Sequence, residues 1–297
     1  MNVFTKGYRK LKSLKLAEKM YAKYYEITMQ ILTNPLAVQF LSIKRSLPQN
    51  RSISLAITHY NRSKLIIGAL RNVLQDERID EVIIYDDCSS IEEFTRMEAK
   101  VKKLSPKITI YRGEKNLGPY KSKITAISKC KNEWAIILDS DNVLSKTYVD
   151  ILYAIPTWDS RLIYCPTLAK PDFDFSRFDV GKIDYKKVQE IILSGQDIKL
   201  FRGFLNDGNY FLNVPKYVEC AEENKNVSVR AADVLVFNYL WLKKGNGLYP
   251  VKDLSYYHRL HSGSYQMGTW RMSREIVNGV MDAIANNNNY EFPDNQE

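Results

Sequence analysis

Two carboxylates one residue apart, in Asp139-Ser140-Asp141-Asn142, stand directly after the apolar run Trp134 to Leu138. Such a pair can aim its oxygens at one hard cation. A divalent ion there would bridge a diphosphate and neutralise the charge on a departing nucleotide. The same residues could be a polar turn capping the next helix. A second acidic pair, Asp86-Asp87, follows the run Val82 to Tyr85 and precedes Cys88-Ser89. A carboxylate there could accept hydrogen bonds from a base or ribose, or could shape a turn before Ser90. A third polar cluster, Thr58-His59-Tyr60-Asn61, closes the run Ile53 to Thr58. The three histidines are His59, His258 and His261. Neutral imidazole is a metal ligand and imidazolium binds phosphate, while a lone His is often only packed.

These residues need elements to position them. Ile53–Thr58, Val82–Tyr85, Ile108–Tyr111 and Trp134–Leu138 read as strands, each apolar throughout. A helix is expected from Ser63, and another from Ser90 to about Leu104, where Ser90 and Glu93 have capping-box spacing. A third should open at Pro119 and reach about Cys130. Strands of this kind alternating with helices imply a mostly parallel sheet covered on both faces. In such sheets ligands bind beyond the carboxyl ends of the strands, where all three polar clusters fall. Residues 171–185 read as irregular and rich in Asp and Phe, and further helices are expected at 186–194, 231–244 and 269–285.

The bulk properties fit a soluble globular enzyme: 297 residues, 45% hydrophobic and 26% charged. The net charge is +9, but residues 1–50 hold nine basic residues against Glu18 and Glu26, or seven of the nine excess charges. The basic signal therefore belongs to a leader, and a nucleic-acid partner is not expected. In that leader Leu14, Ala17, Tyr21, Tyr24, Thr28 and Ile31 recur at helical spacing, with Lys12, Lys15, Lys19 and Lys23 on another face. Such an amphipathic helix suits an anionic membrane surface or the surface of a protein in about equal measure. The four cysteines form no CxxC pair and read as free thiols in a reducing compartment. With no apolar signal segment visible, a cytoplasmic location is expected, peripheral on a membrane's inner face if the leader binds there.

In order along the chain, ISLAITHYNR, IIYDDCSS, NLGPYKSK and WAIILDSDN resemble the nucleotide-binding half of family 2 glycosyltransferases. GNYFLNVPKYVEC, AADVLVFNYLWLKKGNGLYPV and SYYHRLHSGSY resemble its acceptor side. Together these stretches span roughly residues 51–265. The resemblance implies a GT-A fold and an inverting transfer of a sugar from a nucleotide-sugar donor, UDP being the commonest nucleotide, to an acceptor hydroxyl. It implies a glycan or lipid-linked saccharide as acceptor and Mn²⁺ or Mg²⁺ as cofactor. The expected segments are a leader at 1–50, a nucleotide-sugar half at 51–145, an acceptor half at 146–268, and a helix with a polar tail at 269–297.

Carried over residue by residue, the resemblance puts Thr58, Tyr60, Asn61, Asp86, Asp87, Asn116, Gly118, Lys123 and Asp139 at the nucleotide sugar. It puts Asp139, Asp141 and His261 at the metal. Asp233 becomes the general base, with Asp207 in the Asn206-Asp207-Gly208-Asn209 turn next in line. His59 is expected to pack near the base. Departures from the family pattern are Cys88 for Gly, Lys123 for Arg and Ala232 for Glu. Two other readings remain at this level: a non-catalytic module that kept the fold, and a sugar nucleotidyltransferase. The second is disfavoured because no glycine follows the first strand in Thr58-His59-Tyr60-Asn61-Arg62.

Overall fold

The computed structural model describes residues 51–259 and 270–292. The chain divides into two units, Met1–Pro48 and Gln49–Glu297. The expected leader helix and His261 lie outside the described residues.

Four short strands form the first part of the sheet: β1 (Ile53–His59), β2 (Ile79–Asp86), β3 (Ile108–Arg112) and β4 (Trp134–Asp139). They run parallel in the order β3-β2-β1-β4. Every residue of β1 except Thr58 is buried, as a strand covered on both faces requires. The chain leaves β1 to one side through β2 and β3, then returns to its other side with β4. The strand order reverses between β1 and β4, the kind of crevice where open α/β sheets bind ligands. Thr58 and Asp139 are register partners across it.

Three helices connect these strands. The first, α1 (Ile66–Leu70), is one short turn and not the longer helix expected from Ser63. The second, α2 (Ile91–Val101), starts at Ser90, whose Oγ accepts from Glu93 N–H. The capping box is only half formed, because Glu93 turns its carboxylate to Ser63 N–H at 3.0 Å instead. That bond ties the loop after β1 to the start of α2. The third, α3 (Gly118–Ser128), carries Pro119 in its first turn and packs on β1, β2 and β4.

The second half keeps the three expected helices, at Tyr185–Ser194, Asp233–Lys243 and Trp270–Ala285, and adds strands that were not expected. It supplies five more strands: β5 (Val143–Leu144), β6 (Leu162–Lys170), β7 (Phe173–Asp174), β8 (Phe211–Asn213) and β9 (Gly247–Tyr257). They extend the sheet as β4-β8-β6-β9-β5, with β7 on β6. β6 and β9 pair in parallel, whereas β8 runs antiparallel to β4 and to β6. Helices α4 (Tyr148–Tyr153), α5 (Tyr185–Ser194), α6 (Ile198–Leu205), α7 (Val214–Glu223), α8 (Asp233–Lys243) and α9 (Trp270–Ala285) complete the unit. α8 is buried nearly all round, with Val236, Phe237 and Trp241 in the core. Its first residue, Asp233, is therefore set by a rigid element.

Candidate functional site

The cleft lies at the carboxyl ends of β1 and β4. It is lined by Thr58, Tyr60, Arg62, Asp87, Lys123, Asp139, Asp141 and Asp233, among others. Its centre is Lys123 on α3. The ammonium is 3.0 Å from Asp139 Oδ1 and 3.1 Å from Asp233 Oδ2. Burial alone would depress this lysine, but Asp139 and Asp233 more than offset that and hold its pKa above the ordinary value. Asp139 Oδ1 also accepts from Thr58 Oγ1 at 3.1 Å. One cation thus joins the end of β4 to the start of α8, which are far apart in sequence.

Asp141 is held by a different base, with Arg62 Nη1 at 2.7 Å from its Oδ2. The loop that carries Arg62 is pinned on both sides. Asn61 N–H donates to Ser89 Oγ at 2.8 Å, and Ser63 N–H donates to Glu93. Asn61 adopts a left-handed φ of 50°, which its short side chain tolerates. Cys88 adopts φ 60°, so the turn that usually carries glycine keeps its shape with a side chain in place.

The floor of the cleft is the Asn206-Asp207-Gly208-Asn209 turn. Asn209 Oδ1 accepts from Asp139 N–H at 3.0 Å and from Asn142 Nδ2 at 3.1 Å. Tyr148 Oη donates to the Asn209 carbonyl. Asp207 Oδ1 accepts from Asn209 N–H and Tyr256 Oη, both at 3.1 Å. Burial raises the Asp207 carboxyl to about 6, against the pull of those hydrogen bonds. Gly208 permits the close approach: a Cβ there would meet Val234 Cγ2 at 2.5 Å.

The sequence-derived residues fall into three groups. Thr58, Tyr60, Asp87, Asn116, Gly118, Lys123, Asp139, Asp141 and Asp233 come together around the cleft. Asp86 does not. It is fully buried, and its carboxylate accepts from Ser89 N–H at 3.0 Å, holding the turn from behind. Asn61 also points elsewhere, its Oδ1 accepting from Ser90 N–H. Asp87 lines the cleft, yet its carboxylate accepts from Leu117 N–H at 2.8 Å and Gly118 N–H at 3.0 Å. It caps α3 and fixes the Asn116-Leu117-Gly118 turn, a role a carboxylate fills well at a helix N-terminus. His59 is 1% exposed, and burial, then Arg62, lower its pKa to about 4. It is a neutral packed imidazole. His258 pairs with Asp172 at 3.2 Å and lines the cleft.

Asp233 follows Ala232, which occupies the cap position of α8 with a left-handed φ of 53°. The Asp233 carboxylate reaches Lys123, so capping is not its main contact. Sequence reasoning missed Arg62 and Asn209. A basic residue straight after the Tyr60-Asn61 turn, and an Asn two residues past Asp207, were the available signals.

Asp139 and Asp141 offer hard oxygens one residue apart and fit a divalent cation. Among the described residues, no three His, Cys, Asp or Glu side chains gather into a metal cluster. A bound ion would therefore rely on these two carboxylates and on ligands from the donor or from residues outside that set.

Fold and site together define an α/β unit with an acidic cleft at its strand ends. Residues 54–196 match the model of glycosyl transferase family 2, and this segment belongs to that family. No curated protein matches the sequence. Among solved structures, S. aureus TarS 1–349 in complex with UDP-GlcNAc is 17% identical, covering 81% of this chain and 68% of that one with a TM-score of 0.58. The UDP complex of the same TarS segment is 16% identical, with 81% and 67% coverage and a TM-score of 0.55. GalNAc-T7 with UDP, GalNAc and Mn²⁺ is 13% identical, with 77% and 50% coverage and a TM-score of 0.54. These likenesses establish the GT-A fold.

Proposed function

We propose that this protein transfers a sugar from a nucleotide-sugar donor, with UDP as nucleotide, to an acceptor hydroxyl with inversion. The observation that carries this reading is the convergence of Asp139, Asp141 and Asp233 on the switch point of the sheet, with Asp139 and Asp233 on Lys123 and Asp141 on Arg62. The neighbours bound to UDP and UDP-GlcNAc support a UDP-sugar as donor. Asp139 and Asp141 would hold Mn²⁺ or Mg²⁺, which when bound neutralises the charge that develops on the leaving diphosphate. Thr58, Tyr60 and the Asn116-Leu117-Gly118 turn shape the nucleotide side of the cleft. Asp233 takes the proton from the acceptor hydroxyl as it attacks the anomeric carbon, and α8 holds it in position. Asp207 is the second candidate base, because its carboxyl sits near 6 and its Oδ2 is buried without a hydrogen-bond partner.

The acceptor is a glycan or lipid-linked saccharide. The basic leader would hold the enzyme at the inner face of an anionic membrane. Among the described residues no helix is long and apolar enough to cross a membrane.

Thermal shift with a panel of nucleotide sugars and Mn²⁺ tests the donor reading. A true donor at 100 times its Kd stabilises by about 2.7 kcal/mol. A panel that leaves the melting temperature unmoved overturns it.

A further inference from the structure

Lys123 and Arg62 already occupy the carboxylates that the metal needs. Lys123 holds Asp139 and Asp233, and Arg62 holds Asp141 at 2.7 Å. Neither base is incidental. Lys123 is 7% exposed on a helix packed against three strands, and Arg62 sits in a loop fastened to α2 through Ser63 and Glu93. Three carboxylates against two bases leave this cluster one negative charge, and Asp87, Asp207 and Arg259 in the rest of the lining add a net one more.

A divalent cation arriving alone would drive the cluster positive and face an ammonium and a guanidinium at its ligands. A diphosphate ester arriving alone would deepen the negative charge. When both arrive the original balance is restored, and each base has a phosphate to turn to as the metal takes its carboxylate. We propose that Lys123 and Arg62 are resident counter-cations which make metal and nucleoside diphosphate bind as a cooperative pair, each weakly without the other. Transfer of Lys123 to the diphosphate also releases Asp233 from its ammonium. The candidate base is then unpaired only when the donor is in place. The inference rests on the proposed function. It adds that the coupling is built from this chain's own bases, one of them a lysine where the family pattern has arginine.

The test is equilibrium binding without turnover. Free Mn²⁺ is titrated by electron paramagnetic resonance against the full-length protein, alone and with saturating UDP. UDP binding is measured with and without Mn²⁺. In the wild-type protein UDP should tighten Mn²⁺ at least about 10-fold, and Mn²⁺ should tighten UDP by the same factor, because coupling is reciprocal. Lys123→Met and Arg62→Met should each bind Mn²⁺ alone more tightly than wild type and show a smaller coupling factor. Arg62 is partly exposed, so its variant stands if Lys123→Met does not fold. Equal Mn²⁺ affinity with and without UDP in the wild-type protein overturns the coupling while leaving the glycosyltransferase reading intact. So does a coupling factor unchanged in the folded variants. Failure of UDP and of every other nucleoside diphosphate to bind, with or without Mn²⁺, overturns both.

Discussion

Two acidic pairs end β2 and β4, the parallel strands on either side of β1, and they do opposite work. Asp86 and Asp87 turn their oxygens toward backbone amides of Ser89, Leu117 and Gly118. Asp139 and Asp141 turn theirs toward Lys123 and Arg62 in the cleft. Burial raises the carboxyls of the first pair, while hydrogen bonds pull the other way. The first pair builds the turns, and the second lines the cleft. Spacing did not distinguish them. The difference comes from what lies opposite: a helix N-terminus with unpaired amides across from Asp87, and basic side chains on α3 and the β1 loop across from the other pair.

The largest effect that tests this contrast belongs to Asp233, which shares Lys123 with Asp139. Asp233→Asn keeps an oxygen for Lys123 but cannot take a proton. We expect kcat to fall about 10²–10⁴-fold with donor affinity and melting near wild type. Normal turnover in Asp233→Asn, with collapse in Asp207→Asn, would move the base to the floor of the cleft.

A second test uses Asp207, which belongs to neither pair, together with His59. His59 titrates at about 4 in the fold against 6.5 unfolded, so its contribution to stability is lost as pH falls from 6.5 toward 4. Asp207 titrates at about 6 against 3.8, so its carboxyl destabilises the fold as pH rises from 3.8 through 6. The two effects oppose each other over the same window. Each amounts to about 3 kcal/mol at full extent. Relative to wild type, His59→Gln should gain stability on going from pH 7 to 4, and Asp207→Asn should lose it. Urea midpoints at the two pH values read this directly; differences independent of pH would place both groups in ordinary solvent.

The smallest expected effect is at Asp87. Loss of its bonds to Leu117 and Gly118 in Asp87→Ala should cost about 1–3 kcal/mol of stability. Donor KM should rise only as the Asn116-Leu117-Gly118 turn loosens. A donor KM raised at unchanged melting temperature would return Asp87 to the nucleotide and dissolve the contrast.

The first four strands were legible because each holds a short, mainly apolar run bounded by polar residues. α8 was legible from the length of its apolar stretch. β6 and β9 were not, because Pro166, Pro250 and Asp253 interrupt them. The structure accommodates this with a register shift between Pro166 and Leu168, a left-handed Asp253, and a bond from Thr167 Oγ1 to the Val251 carbonyl. At the site, the residue types at the strand ends were readable, but the partners were not. Lys123 read as a nucleotide-sugar contact because nothing in sequence brings Asp233, 110 positions later, to the same ammonium. Asp86 and Asp87 look alike in sequence, and only the fold places one behind the turn and the other against α3.

The grip of Asn209 on the Asp139 amide has a consequence for isotope exchange. Backbone amides at the frayed ends of strands beside a cleft ordinarily trade their protons with solvent quickly. The Asp139 N–H instead points at a buried side-chain oxygen, itself held by Asn142 and by the turn of Asp207. In heavy water its resonance should persist with those of the central strands, long after that of exposed Asn116 has faded. In Asn209→Ala it should fade early. The segment with the most chemistry at its surface would then be among the quietest in the protein.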